Sequence, residues 1–214
     1  SMIIGRFRFL RPFKFFLNAI ESTISTIIRM INSFKVKKRV LNVSYESLSK
    51  IDKTTWEFIQ PLCENDLVYK TKEYVNWQLD NCQYLQTPIP KRNPYTSLLA
   101  GMSTNIHLYN LKITKNGAII GFLSYIINYK EFNVKYFLVE DKKYYDLCVD
   151  VIIENFIEKR STFIFTDVTR LSDTICKRYK TIFTHKVLKK GLAHNDTKLD
   201  FDNVNMLNRD GHFY

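Results

Sequence analysis

Glycine and proline are scarce, with six and five in 214 residues. That excludes collagen-like and linker-rich chains. The four cysteines, at 63, 82, 148 and 176, form no Cys-x-x-Cys pair. A disulfide scaffold and a structural zinc site are therefore not expected, and a reducing compartment is. The histidines at 107, 185, 194 and 212 lack the spacing of a zinc-hydrolase motif. No apolar run reaches the roughly 18 residues of a membrane-spanning helix without Asn, Glu or Arg interrupting it. No small-residue cleavage site follows a compact apolar core, so a signal peptide is not expected either.

Aromatic residues are plentiful: 16 Phe, 13 Tyr and 2 Trp. So many large apolar side chains exclude intrinsic disorder. The net charge is +11, but it is unevenly spread. Residues 1–40 hold nine basic side chains against Glu21 alone, and the rest holds 23 basic and 20 acidic ones. The basicity belongs to an N-terminal arm, and the balanced remainder argues against a nucleic-acid binder. Ser1-Met2 reads as a cleavage scar before a start residue, which leaves open whether the chain is whole or a fragment.

Leu10, Phe13, Leu17, Ile20, Ile24, Ile27, Ile31 and Phe34 alternate spacings of three and four. That period predicts one amphipathic helix over 10–34, with apolar a and d heptad positions. Three readings of its stripe stand open. It packs on its own domain or on a missing N-terminal domain; it forms a homodimer seam; or it lies on an anionic membrane surface. The chain accordingly divides into a basic helical arm, 1–39, and a globular domain, 40–214.

Within the domain, a strand is expected over 35–45 and a helix through Trp56, Phe58, Ile59 and Leu62. A second helix is expected over 71–82, with Thr71 as its N-cap. Residues 83–104 read as loop, with a turn of helix at 96–101. Asn116-Gly117 between two β-rich runs, 106–113 and 118–129, predicts a type I′ hairpin. Strand 133–140 is expected at the centre of the sheet. A helix over 142–159, a strand over 162–168 and a helix over 170–180 follow, then strands near 182–190 and 199–208. This order predicts a mixed, mostly antiparallel α/β (α+β) sheet with helices on both faces.

The order of elements over about 40–210, with an Asn-Gly hairpin before the central strand, resembles the GNAT acyltransferase superfamily. The segment Lys70-Thr-Lys-Glu-Tyr-Val-Asn-Trp-Gln78 looks like the Arg-Asp-x-Glu-Tyr-Leu-x-Trp-Arg segment of a bacterial subgroup that joins two such units in one chain. Leu207-Asn-Arg-Asp-Gly-His-Phe213 is similar to that subgroup's final strand. This chain resembles the second unit. The resemblance implies an acyl-CoA whose pantetheine lies along the strand end at Phe137, Leu138 and Val139. Its pyrophosphate would rest on the helix start at Lys142, Lys143 and Tyr144. Lys70, Tyr74 and Trp77 would then line the acceptor side.

The superfamily's Gly-rich phosphate loop is replaced here by Val139-Glu-Asp-Lys-Lys-Tyr-Tyr-Asp-Leu147, without a glycine. Any acyl-CoA binding should therefore be weak and depend on Lys142 and Lys143. Glu140 or Asp141 would be the general base and Tyr179 the acid that returns a proton to sulfur. Against those roles stand plain ones: acids favouring a helix N-terminus, and an aromatic packed in the core. Trp77 likewise reads as acceptor wall or as core. The implied function is acyl-CoA-dependent N- or O-acyl transfer to a small-molecule or sugar acceptor, without a metal, in the cytoplasm or at the inner membrane surface. The alternative is a GNAT-fold binding or dimerisation module that has lost catalysis.

Overall fold

The computed structural model describes residues 14–80, 106–187 and Leu207. Helix α1 spans Lys14–Arg39 and strand β1 Ser44–Ser47. Helices α2 (Lys53–Leu62) and α3 (Lys72–Gln78) follow. Strands β2 (Ile106–Lys115), β3 (Ala118–Asn128) and β4 (Glu131–Leu138) form a meander. Helix α4 (Lys142–Glu158), strand β5 (Phe163–Phe165) and helix α5 (Thr169–Arg178) complete the described chain. The five strands lie in the order β1-β2-β3-β4-β5. All neighbours are antiparallel except β4 and β5, which run parallel.

Local chemistry accounts for several of these elements. Asn116 and Gly117 take φ of 52° and 79°, the left-handed pair that a type I′ turn requires. Asp52 caps α2 by accepting the Thr55 N–H at 2.6 Å, and Thr71 caps α3 by accepting the Tyr74 N–H at 3.1 Å. Buried positions Tyr145, Cys148, Val149, Ile152 and Ile153 give α4 its core face, as the spacing predicts.

Strand β3 is buried along almost its whole length, because helices cover both faces of the sheet. On one face Leu123, Tyr125 and Ile127 join α1, α4 and α5 in the larger core. On the other, Phe122 and Ile126 meet Ile59 of α2 and Val75 of α3. Two bulges interrupt the ladders. The β2–β3 register passes from Ile113↔Gly121 to Thr114↔Ile119, leaving Ile120 extra. The β3–β4 register passes from Ser124↔Tyr136 to Tyr125↔Val134, leaving Lys135 extra. Each bulge turns its strand locally and re-aims a side chain.

Several sequence expectations need correction. Residues 35–39 are helical, and the strand begins at Ser44. Val36 and Val40 follow Asn32 at helical spacing and all three are buried, so the helical period wins over the β-rich composition. The middle strand is β3; β4 stands one place towards the β5 edge. Helix α3 ends at Gln78, and β5 has three residues. Residues 182–187 contain no strand. Expected features at 81–105 and 188–206, including the helical turn at 96–101 and most of the strand at 199–208, lie outside the described residues.

Candidate functional site

Strands β4 and β5 pair only at Glu131↔Phe163, Phe132↔Ile164 and Asn133↔Phe165. Beyond Asn133, β4 continues to Leu138 with no paired neighbour on that side among the described residues. This open half carries the Lys135 bulge, and the start of α4 lies just past its end. The candidate site is built around it.

On the α2/α3 face, Lys135 is only 6% exposed. Its Nζ donates to the Gln78 carbonyl at 3.2 Å. Burial, with repulsion from Lys70 second, pushes this amine down to about 8. Lys70 is buried too; its Nζ donates to the Val68 carbonyl at 2.8 Å and lies 3.7 Å from the buried carboxylate of Asp66. Lys70 also stands over the Tyr74 ring, 5.7 Å from its centroid. Gln78 links α3 to β4 in this cluster: its Nε2 donates to the Tyr74 hydroxyl at 3.1 Å, and its Oε1 accepts from the Tyr136 hydroxyl. Beside it, Ser124 donates to Asn110 at 2.9 Å, and Asn110 donates to the Leu79 carbonyl at 3.1 Å. Trp77 is half exposed at the rim, its ring 5.9 Å from that of Tyr74.

The structure thus brings Lys70 and Tyr74 together with Lys135, Asp66, Gln78 and Tyr136, four residues that sequence reasoning missed. Only Lys135 left a signal there: a lysine inside the apolar run Val134 to Leu138. Asp66 and Gln78 are polar residues in polar surroundings, and nothing in their local pattern marks them.

The donor side is built differently. Phe137 and Leu138 are buried, and Phe137 packs edge-on against Tyr145 at 5.3 Å. Val139 is half-buried and Glu140 exposed. At the start of α4 the N-terminal donors face Asp141. Its Oδ1 accepts the Lys143 N–H at 2.9 Å, and its Oδ2 meets Lys143 Nζ at 2.6 Å. The Lys143 side chain, more than any other contact, holds the Asp141 carboxyl below its usual range. Lys142 is exposed, and Lys143 also covers the Tyr144 ring at 4.7 Å. Lys115 approaches the same ring from β2, at 5.6 Å. Lys115, Lys143 and Tyr144 rim an open basin of about 590 Å³ that extends to Arg39, Asp150 and Arg178.

Tyr179 does not line that basin but meets one of its acids. Its hydroxyl donates to Asp150 Oδ1 at 2.6 Å. Arg178 donates to both Asp150 oxygens and to Asp146, and Arg39 stands 3.7 Å from Asp150. Burial, then this hydrogen bond, raises the Tyr179 hydroxyl strongly. Asp150 sits eight residues along α4 from Lys142, about 12 Å of helix. Tyr179 is thus engaged in an ion-pair network that ties α5 and α1 to α4.

Comparison with protein-family models, curated proteins and solved structures finds no match to this chain.

Proposed function

We propose that the chain is an acyltransferase unit of the GNAT kind, acting on a small polar acceptor such as an amino sugar. The observation that carries this reading is the half-paired β4. It runs parallel to β5 for three residues and beyond Asn133 has no paired neighbour on that side among the described residues. An open strand edge offers unpaired backbone groups to an extended amide-bearing ligand. Acyl-CoA, when bound, supplies an activated thioester. The polar cluster of Lys70, Asp66, Lys135 and Gln78 lies on the opposite side of β4 from α4 and holds the acceptor. Glu140, exposed at the end of β4, takes the acceptor's proton. The donor calls for a cytoplasmic place of work.

The start of α4 does not fit a diphosphate through its backbone. A phosphate binds a helix N-terminus by taking its free N–H groups, and Asp141 already takes that of Lys143. The same observation favours a second reading, a GNAT-fold module that binds a partner without turning over acyl-CoA. Titration calorimetry with acetyl-CoA, on the wild type and on Lys142→Ala/Lys143→Ala, separates the two. The acyltransferase reading expects weak binding that the double variant abolishes, together with acetyl transfer to amino sugars. No binding and no transfer would support the module instead.

A further inference from the structure

Among the described residues, helix α1 touches the domain along one face. Val36 and Val40 enter the larger core. Arg29 donates to the Ser161 carbonyl at 3.0 Å, and Asn32 exchanges two hydrogen bonds with the Lys180 backbone at 2.9 and 3.1 Å. The heptad stripe does not face that way. Ile20, Ile24, Ile27, Ile31 and Phe34 are all exposed, Ile27 by 52% and Phe34 by 67%. Phe16 and Met30, also exposed, widen that apolar face. The described residues therefore leave uncovered the stretch of the stripe from Ile20 to Phe34. A monomer in water rarely leaves so long a contiguous apolar face open.

Two features choose the occupant. The first is charge. By sequence the e and g positions flanking the stripe hold Lys14, Lys35 and Lys37 against Glu21 alone. Paired coiled-coil helices place opposite charges at these positions, but two parallel copies of this helix would set Glu21 against Phe16 and Lys35 against Met30, so no e–g ion pair would hold them together. Lys38 is exposed, forms no ion pair among the described residues and follows Phe34 by one turn, whereas Lys37, also exposed, is turned enough towards α4 to act on Glu154. The second feature is width. Phe16 and Met30 occupy g positions beside the a and d stripe, so the apolar face is broader than a two-helix seam. A broad apolar face edged by cations suits a helix lying in the plane of an anionic bilayer, with its lysines reaching the headgroups. Among the described residues no helix is long and apolar enough to cross a membrane.

We infer that the exposed Phe/Ile face of α1 docks the protein on a membrane surface rich in anionic phospholipid. This holds the domain at the bilayer with α1 in the interface and its Val36 face on α4. It does not depend on the reading of the candidate site.

The test is flotation of the intact 214-residue chain with two kinds of vesicle, phosphatidylcholine alone and phosphatidylcholine with phosphatidylglycerol. Sedimentation velocity without lipid accompanies it. The expected result is flotation with the anionic vesicles only, weakened by salt. Ile27→Glu/Phe34→Glu should lower that partitioning by about tenfold or more. Both positions face outward, so the variant should keep the wild-type unfolding transition. Lys38→Glu, which leaves every apolar residue in place, should weaken binding to anionic vesicles. Equal flotation with both kinds of vesicle would overturn the inference. So would a stable dimer that ignores vesicles and that the Ile27/Phe34 variant splits, which would assign the face to a second copy. A monomer that floats with neither vesicle would overturn it as well.

Discussion

Asp141 accepts the backbone N–H of Lys143 at 2.9 Å and pairs with that residue's own ammonium group at 2.6 Å. One carboxylate thus does for the start of α4 what a bound anion would do. Asp141→Gly should release the Lys143 N–H and ammonium together. The expected outcome is tighter binding of inorganic diphosphate and of acetyl-CoA than in the wild type, with a lower melting temperature from loss of the cap. Asp141→Asn, which keeps an acceptor oxygen, should stay closer to the wild type in both. Calorimetry and thermal unfolding of the two variants check this, and unchanged diphosphate affinity in Asp141→Gly would place anion binding elsewhere.

Lys135 is pushed down to about 8 by burial, whereas an unfolded lysine holds its proton to about 10.5. Between those values the unfolded chain binds more protons than the folded one, so stability rises with pH there. Below pH 8 the cost of the buried charge is fully present, on the order of 3 kcal/mol. Lys135→Met loses one hydrogen bond to Gln78 but removes that cost. It should raise stability at pH 7 by about 2 kcal/mol, and the gain should fade between pH 8 and 10.5. Denaturant unfolding of both proteins across that range measures the difference. If Lys135 binds acceptor, the stabler variant should be the poorer enzyme.

Tyr179 and Arg178 both spend their hydrogen bonds on Asp150. Tyr179→Phe should cost about 1.5–3 kcal/mol, the range for a hydrogen bond to a charged group. Asp150→Asn, which breaks a buried pair, should cost about 3–5 kcal/mol. Any acyl transfer should survive Tyr179→Phe, because this hydroxyl serves the network. A variant of unchanged stability and no turnover would restore Tyr179 as the proton donor.

Gly121 lies where β3 crosses under α4. A Cβ there would stand 2.7 Å from Cys148 Sγ and 3.3 Å from the Leu138 carbonyl oxygen. Gly121→Ala should destabilise by about 1–3 kcal/mol through overpacking. Cys148→Ala removes the nearer obstacle, so the double variant should be more stable than the sum of the single losses implies. A double-mutant cycle measured by denaturant unfolding reads that coupling.

Some of this protein was written locally. Asn116-Gly117 specified its hairpin because both residues accept φ above zero, a property of two adjacent amino acids. Thr71 specified the start of α3, and the spacing of Tyr145, Cys148, Val149 and Ile152 specified which side of α4 is buried. Each of these signals acts within about four residues, and sequence carries that range directly.

The rest was decided through space. The heptad period of α1 was legible, but a period says that a face is apolar and not what it meets. Only the packing of Val36 and Val40 on the core shows that the Ile27 and Phe34 side turns outward. The helical fate of residues 35–39 follows from the same packing. Lys135 reaches Gln78 from a bulge that exists because Tyr125 pairs with Val134 and Ser124 with Tyr136. Asp66, Lys70 and Gln78 meet it from a segment more than fifty residues earlier. The joining of these groups depends on strand register, which is set by cross-strand contacts that no local pattern contains.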